Sequence, residues 1–263
     1  MRNILARLGA ASVFALACAS PVVAQDNPQT QTKPDIAPEP ETAAPFTITG
    51  GAALVSDYRF RGISQTDRDF AVQGNFTVAH ESGFYVGVWG SSVDDYVAFG
   101  SDQEIDLIAG FKKTTTGGTT FDAGVLYYVY PGFNQGVDTD FFEPYASIAH
   151  TLGPVTGKVT VNYAPKQSAL DYGFGNEDGL YVGGDLSGSL YGFGLSAHIG
   201  HSFTRNYLTG GQKYTDWSLG ANYTYKAMTL GVQYVDTDAD ALAGPSGKDI
   251  YGSGVVGTVS VAF

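Results

Sequence analysis

The residues of this sequence that could do chemistry are mostly charged side chains at every second position. Asp57, Arg59 and Arg61 alternate, as do Glu104 and Asp106; Asp122 and Asp185 sit alone among small residues. On an extended strand a spacing of two places side chains on one face. Charges gathered on the inner face of a closed sheet polarise a passage and select what passes. Catalysis is not expected. His80, His150, His198 and His201 are the four histidines, and none shares a loop with a Ser or Asp partner. His198 reads as a polar residue of the inner face. Asp236, Asp238 and Asp240 begin like a calcium loop, but Ala241 and Gly247 stand where that loop needs Gly and Glu. The run reads as a solvated acidic loop that meets divalent ions at a lipopolysaccharide surface. No phosphate loop or zinc spacing occurs, so neither metal nor cofactor is expected.

Such charges need elements to hold them, and the composition narrows the choice. Of 263 residues, 43% are hydrophobic and 15% charged, with 35 Gly, 17 Tyr and 16 Phe. That mixture suits short strands between two solvents. The formal charge of −12 excludes the basic footprint of a nucleic-acid binder.

Residues 1–24 read as a secretory signal peptide. Arg2 and Arg7 precede a short apolar run, and Val22-Val23-Ala24 offers small residues before the cut. Removing it leaves 12 basic and 26 acidic side chains, a charge of −14. Cys18, the single cysteine, lies inside that run. Ala15 stands where a lipobox has Leu, so lipidation is not expected. Residues 25–45 hold five of the 11 prolines and no apolar periodicity. They read as a disordered periplasmic linker.

From residue 46 to 263 the period is two throughout. Phe193, Leu195, Ala197 and Ile199 alternate with Gly194, Ser196, His198 and Gly200. Twelve such segments are expected, near 46–61, 68–80, 84–93, 102–113, 119–130, 139–151, 155–165, 179–190, 193–204, 213–225, 228–236 and 249–263. Short connections (81–83, 114–118, 152–154, 191–192, 226–227) alternate with longer ones (62–67, 94–101, 131–138, 166–178, 205–212, 237–248). An even strand number with short turns on one side and long loops on the other is the layout of an outer-membrane barrel. The expected fold is therefore all-β: a transmembrane antiparallel up-and-down barrel with both termini in the periplasm. A soluble sandwich also alternates, but its outer face would carry Lys and Glu instead of Gly, Ser, Thr and Asn. Aromatics gather at segment ends, as membrane girdles do: Phe46, Tyr58, Phe60, Phe70, Phe84, Phe111, Tyr163, Tyr191, Phe203, Tyr225 and Tyr251. Phe263 ends the chain with Val261, Val259 and Val255 on its face, and reads as the signal taken up by the barrel-assembly machinery.

Parity assigns the faces. Phe46, Ile48, Ala52, Leu54, Tyr58 and Phe60 share the lipid side, which leaves Asp57, Arg59 and Arg61 in the lumen. The same exercise puts Asp69, Glu104, Asp106, Lys112, Asp122, Glu143, Lys158, Asp185 and Asp216 inside. Arg59 and Arg61 are expected to face Glu104 and Asp106 across the bore. This sets a transverse field, or else braces the barrel with salt bridges. The excess of acids suggests weak cation preference. Twelve strands lie between barrels of about 8, filled by side chains, and about 16, which hold an aqueous channel.

Residues 56–66 read S-D-Y-R-F-R-G-I-S-Q-T. This resembles the N-terminal motif of the TorF-type putative porin family, carried here by Ser56, Asp57, Tyr58, Arg61, Gly62, Ser64 and Gln65. The resemblance implies a barrel more firmly than a solute. The expected function is passive diffusion of ions or small polar solutes across the outer membrane by a monomer. A closed barrel with a bracing or surface role is the alternative.

Overall fold

The computed structural model describes residues 45–132, 136–171, 173 and 177–263. The signal peptide and nearly all of the linker expected from the sequence lie outside them. Period two becomes strands β1 (Phe46–Val55), β2 (Arg59–Phe60), β3 (Ile63–Ser64), β4 (Ala71–His80), β5 (Phe84–Ser92), β6 (Gln103–Thr114) and β7 (Thr119–Val129). They continue as β8 (Phe141–Leu152), β9 (Val155–Ala164), β10 (Gly179–Leu190), β11 (Phe193–Ser202), β12 (Tyr214–Tyr225), β13 (Met228–Thr237) and β14 (Gly254–Ala262). Twelve of them close one antiparallel barrel, β4 to β14 in sequence order with β1 joining β14 back to β4; β2 and β3 pair only with each other. Each barrel strand is 9 to 12 residues long, about the length that crosses a bilayer when tilted.

Two expected segments are shortened most, the first and the last. The first strand stops at Val55 instead of residue 61, and the last begins at Gly254 instead of 249. In both places the chain leaves the wall and turns inward.

The outer face is apolar. Ile48, Leu107, Val159, Ile199, Leu219 and Val232 all stand exposed in mid-strand. A surface of this kind is unfavourable in water and favourable in hydrocarbon. Phe46, Phe70, Phe84, Phe111, Tyr163, Tyr191, Phe203 and Tyr225 are exposed near strand ends, as girdle residues would be. Tyr58, Phe60 and Tyr251 are not. They are 4%, 2% and 1% exposed, packed inside the barrel on segments that parity had extended along the wall.

The barrel seam depends on the end of the chain. β1 pairs with β14 over Gly51–Val55, and Gly50 then exchanges both backbone hydrogen bonds with Phe263 at 3.0 Å. The Phe263 ring lies across Gly50. A Cβ at Gly50 would come within 2.7 Å of it, so a side chain there would have to displace the terminal ring.

Candidate functional site

The inward-turned segment, residues 56–70, is built by its own short hydrogen bonds. Asp57 is the hub. Its carboxylate accepts from Ser64 Oγ at 2.6 Å and from Arg59 Nε at 2.5 Å. Thr66 Oγ1 accepts from the Tyr58 amide at 3.1 Å, and the Gln65 amide donates to the Tyr58 carbonyl at 2.7 Å. Strands β2 and β3 form a two-residue hairpin whose turn is Arg61-Gly62, with φ of 46° and 83°. Two positive φ values in succession define the turn that matches strand twist. The second residue must be Gly here for a further reason: a Cβ would lie 2.3 Å from Thr237 Cγ2 and 2.9 Å from Asp216 Cβ on the wall.

The hairpin tip meets the wall through Arg61. Its guanidinium contacts both oxygens of Glu143 (β8) and stacks over the rings of Tyr181 (β10) at 4.2 Å and Phe60 at 4.6 Å. Glu143 also accepts from the Tyr128 hydroxyl at 3.2 Å and Asn162 Nδ2 at 3.3 Å. On β5 and β6, one strand removed from β8, Tyr58 packs its ring against Trp89 and donates to Glu104 at 3.3 Å. At this level each of the twelve barrel strands turns at least one buried residue inward, among them Gln73, Trp89, Tyr128, Glu143, Tyr181 and Asp216. The bore is filled here.

Backbone ties from residues 56–70 go mostly to loops. Ser64 N donates to Ile250 O, and Asp94 N donates to Gln65 O. Ser56 binds Gly257 at the root. Side chains add a latch to the last long loop. Arg59 and Arg68 both donate to Gly252 O, Ser246 N donates to Asp67, and Lys248 reaches Asp69. Asp94 sits in the loop packed against this segment. Burial raises its pKa above the usual carboxylate range, and Asp67, Asp95 and Asp69 add to the rise, while the Tyr96 amide partly offsets it.

Towards the end that carries both termini the bore opens. Inward residues there are half-buried or exposed and polar: Thr49, Asn75, Ser187, Ser196, Asn222 and Thr258. His198 (β11) stands at the inner limit of this vestibule. Its Nδ1 is 2.7 Å from Asp185, and its Nε2 is 3.2 Å from Asp216 and 2.8 Å from the Tyr181 hydroxyl.

The sequence-derived site residues are distributed as follows. Glu104, Asp106, Lys112, Asp122, Glu143, Lys158, Asp185 and Asp216 have inward parity on wall strands. Asp57, Arg59 and Arg61 reach the lumen on the hairpin, not along a wall strand. Arg59 and Arg61 do not face Glu104 and Asp106. Arg59 turns to Asp57 beside it, and Arg61 crosses to Glu143. Asp69 lies outside the lumen; its carboxylate is 75% exposed and pairs with Lys248. Parity gave the lumen for Asp57, Arg59 and Arg61 but not their partners, nor the place of Asp69, because the chain leaves the wall after Val55 and alternation beyond that point counts positions on a hairpin. The motif residues Ser56, Asp57, Tyr58, Arg61, Gly62, Ser64 and Gln65 all belong to the architecture of that hairpin. The sequence reading missed the latch of residues 238–253. Its only signal was composition: Gly, Ser and Asp around Lys248.

The arrangement defines a class: a closed transmembrane antiparallel barrel with a folded segment packed inside one half. The chain belongs to a family described as bacterial protein of unknown function (Gcw_chp), whose model matches residues 39–263. Among solved structures, one described as "KdgM porin in complex with disordered oligogalacturonate" matches 82% of this chain and 98% of its own, at 6% identity and a TM-score of 0.53. That likeness shows the fold. A TodX mutant described as a monoaromatic hydrocarbon channel aligns at 11% identity over 82% of this chain and 89% of its own (TM-score 0.47). A Salmonella typhi OmpF complex with daunomycin aligns at 8% identity over 83% and 97% (TM-score 0.44). No curated protein matches.

Proposed function

We propose that this chain is an outer-membrane porin-like channel for ions or small polar solutes, gated within its bore by residues 56–70. One observation carries the reading. A polar, accessible vestibule ends against a hairpin that shares no strand ladder with the wall. The hairpin touches the wall through side chains, chiefly one buried ion pair. A buried ion pair costs much desolvation for its attraction, so it is a weak fastener for a permanent seal. Arg61 Nε, Asp106 Oδ1 and Asn162 Oδ1 are buried there with no hydrogen-bond partner among the described residues. Each unpaired buried group carries a desolvation penalty that water entering the bore would relieve.

The same geometry supports a weak cation preference. The wall carries Glu104, Asp106, Asp122, Glu143, Asp185 and Asp216 against Lys112 and Lys158, while both lumen arginines ride on the hairpin. Asp57 travels with its partner Arg59, so movement of the hairpin takes the net positive charge of Arg61 out of the bore. A polyanion such as the oligogalacturonate named with the KdgM porin would meet an acidic wall here.

The apolar belt, the expected signal peptide and the Phe263 seam support assembly in the outer membrane as a monomer. The long loops then face lipopolysaccharide and the termini the periplasm. The TorF-type motif agrees with this reading. The filled bore favours one rival, a closed barrel with a bracing or surface role. Planar-bilayer recording with unequal KCl on the two sides separates them. Discrete conductance steps with a reversal potential on the cation side are expected. Steps that never appear would leave the closed barrel.

A further inference from the structure

The vestibule wall contains a feature that the gate does not use. Tyr85 (β5) and Tyr145 (β8) point inward, and each lies over a glycine of its neighbouring strand, Gly110 on β6 and Gly124 on β7. A Cβ at Gly110, the cross-strand partner of Tyr85, would sit 2.5 Å from its Oη and 2.6 Å from its Cζ. A Cβ at Gly124, the partner of Tyr145, would sit 2.8 Å from that hydroxyl. With no side chain beneath them the two phenols lie against the wall instead of projecting across the bore. This is the mutual cover of aromatic and glycine seen in sheets.

Their polar edges converge. The Tyr85 hydroxyl donates to Asp122 Oδ1 at 2.7 Å and shares a hydrogen bond with the Tyr145 hydroxyl. Lys112 Nζ is 3.1 Å from Asp122 Oδ2 and 5.4 Å from the centre of the Tyr85 ring. All four side chains stay partly accessible from the vestibule. The patch combines flat apolar rings with a carboxylate, an ammonium and two hydroxyls whose charges cancel. Net charge would attract ions; its absence removes that preference. A pyranose ring has a C–H face for a phenol and a rim of hydroxyls that donate and accept. Sites for small ligands have this form: apolar surface with a few placed polar groups.

We infer that Tyr85, Tyr145, Asp122 and Lys112 form a binding site for neutral saccharides on the vestibule wall. This deepens the channel reading by naming a class of solute. Its test does not depend on conduction. Saturation-transfer NMR on the detergent-folded full chain, probed with maltose, sodium galacturonate and tetraethylammonium, should show transfer to maltose C–H protons and little to the two ions. Tyr85→Ala should reduce the maltose signal at least fivefold. Tyr85→Phe, which keeps the ring, should reduce it less. Heat-modifiable gel mobility verifies that each variant is folded. If Tyr85→Ala does not fold, Gly110→Ala, which pushes the phenol off the wall, replaces it with the same expected loss. Absence of transfer to maltose, undiminished transfer in a folded variant, or stronger transfer to either ion overturns the site. Maltose binding without conductance would keep the site and reject the channel; conductance without maltose binding would do the reverse.

Discussion

Arg61 Nη2 lies 2.8 Å from one oxygen of Glu143 and 2.9 Å from the other, with the two side chains 6% and 1% exposed. This contact joins a hairpin that leaves the wall after β1 to a strand on the far side of the bore. Removing one partner of a buried pair leaves an uncompensated charge and typically costs about 3–5 kcal/mol. Glu143→Ala should therefore release the hairpin tip while the twelve-strand wall persists. Maleimide labelling of Ile63→Cys, buried at 3% exposure, reports it. At least a tenfold faster reaction is expected when Glu143→Ala is added. Equal rates would mean that the ion pair does not hold the hairpin.

Gly62 combines a φ of 83° with a close approach to Thr237 and Asp216. Gly62→Ala adds a left-handed penalty of about 1–2 kcal/mol to a steric conflict with the wall. The hairpin should be displaced without loss of the barrel. Far-ultraviolet circular dichroism should be unchanged, while trypsin cuts at Arg59 or Arg61 far sooner than in the wild type. Protection at the wild-type level would contradict the assigned packing.

Acid should tighten the closed state. The pKa of Asp94 is raised in the folded loop, so its ionised form disfavours docking of that loop against Asp67 and Asp69. As pH falls from neutral through the raised value towards the ordinary carboxylate value near about 4, the docked state binds the proton and gains stability. Labelling of Ile63→Cys, corrected for thiolate fraction, should be slower at pH 5 than at pH 7.5. Asp94→Asn should flatten that difference. A pH dependence that survives the substitution would assign it to another group.

Gly50 lies under the Phe263 ring at the barrel seam. Gly50→Val forces that ring off the seam where β1 and β14 are already the shortest ladder of the wall, five residue pairs against seven to ten elsewhere. Slower appearance of the heat-modifiable folded band is expected on refolding into lipid, and Phe263→Ala should share the defect. Wild-type folding kinetics in both would remove Phe263 from the closure step.

Much of this molecule is legible from period two alone. Twelve alternating segments become twelve strands, because a membrane barrel must alternate lipid and lumen at every residue. Val55 marks where that logic stops. Tyr58 and Phe60 keep the parity of the lipid face yet are buried inside, since alternation describes a two-residue hairpin as well as a wall strand. The distinguishing chemistry was local: an Asp57 within reach of Ser64 and a glycine at position 62. Glu143 was assigned to the lumen by parity, but its partner was not readable, because residues 82 positions apart are brought together only when the hairpin folds inward. The Tyr85 and Gly110 pairing was hidden in the same way, being a matter of cross-strand register.

On the proposed function, residues 56–70 close a bore that would otherwise conduct. Val55 and Ala71 are cross-strand partners, so residues 57–70 can be replaced by a four-residue Gly-Ser turn that keeps Ser56 and its bonds to Gly257 of β14. Single-channel recording of this variant beside the wild type tests the claim most directly. Brief or rare openings are expected in the wild type, and long-lived, larger, cation-preferring steps in the variant. Steps of equal size and duration in both, or none in a correctly folded variant, would contradict it.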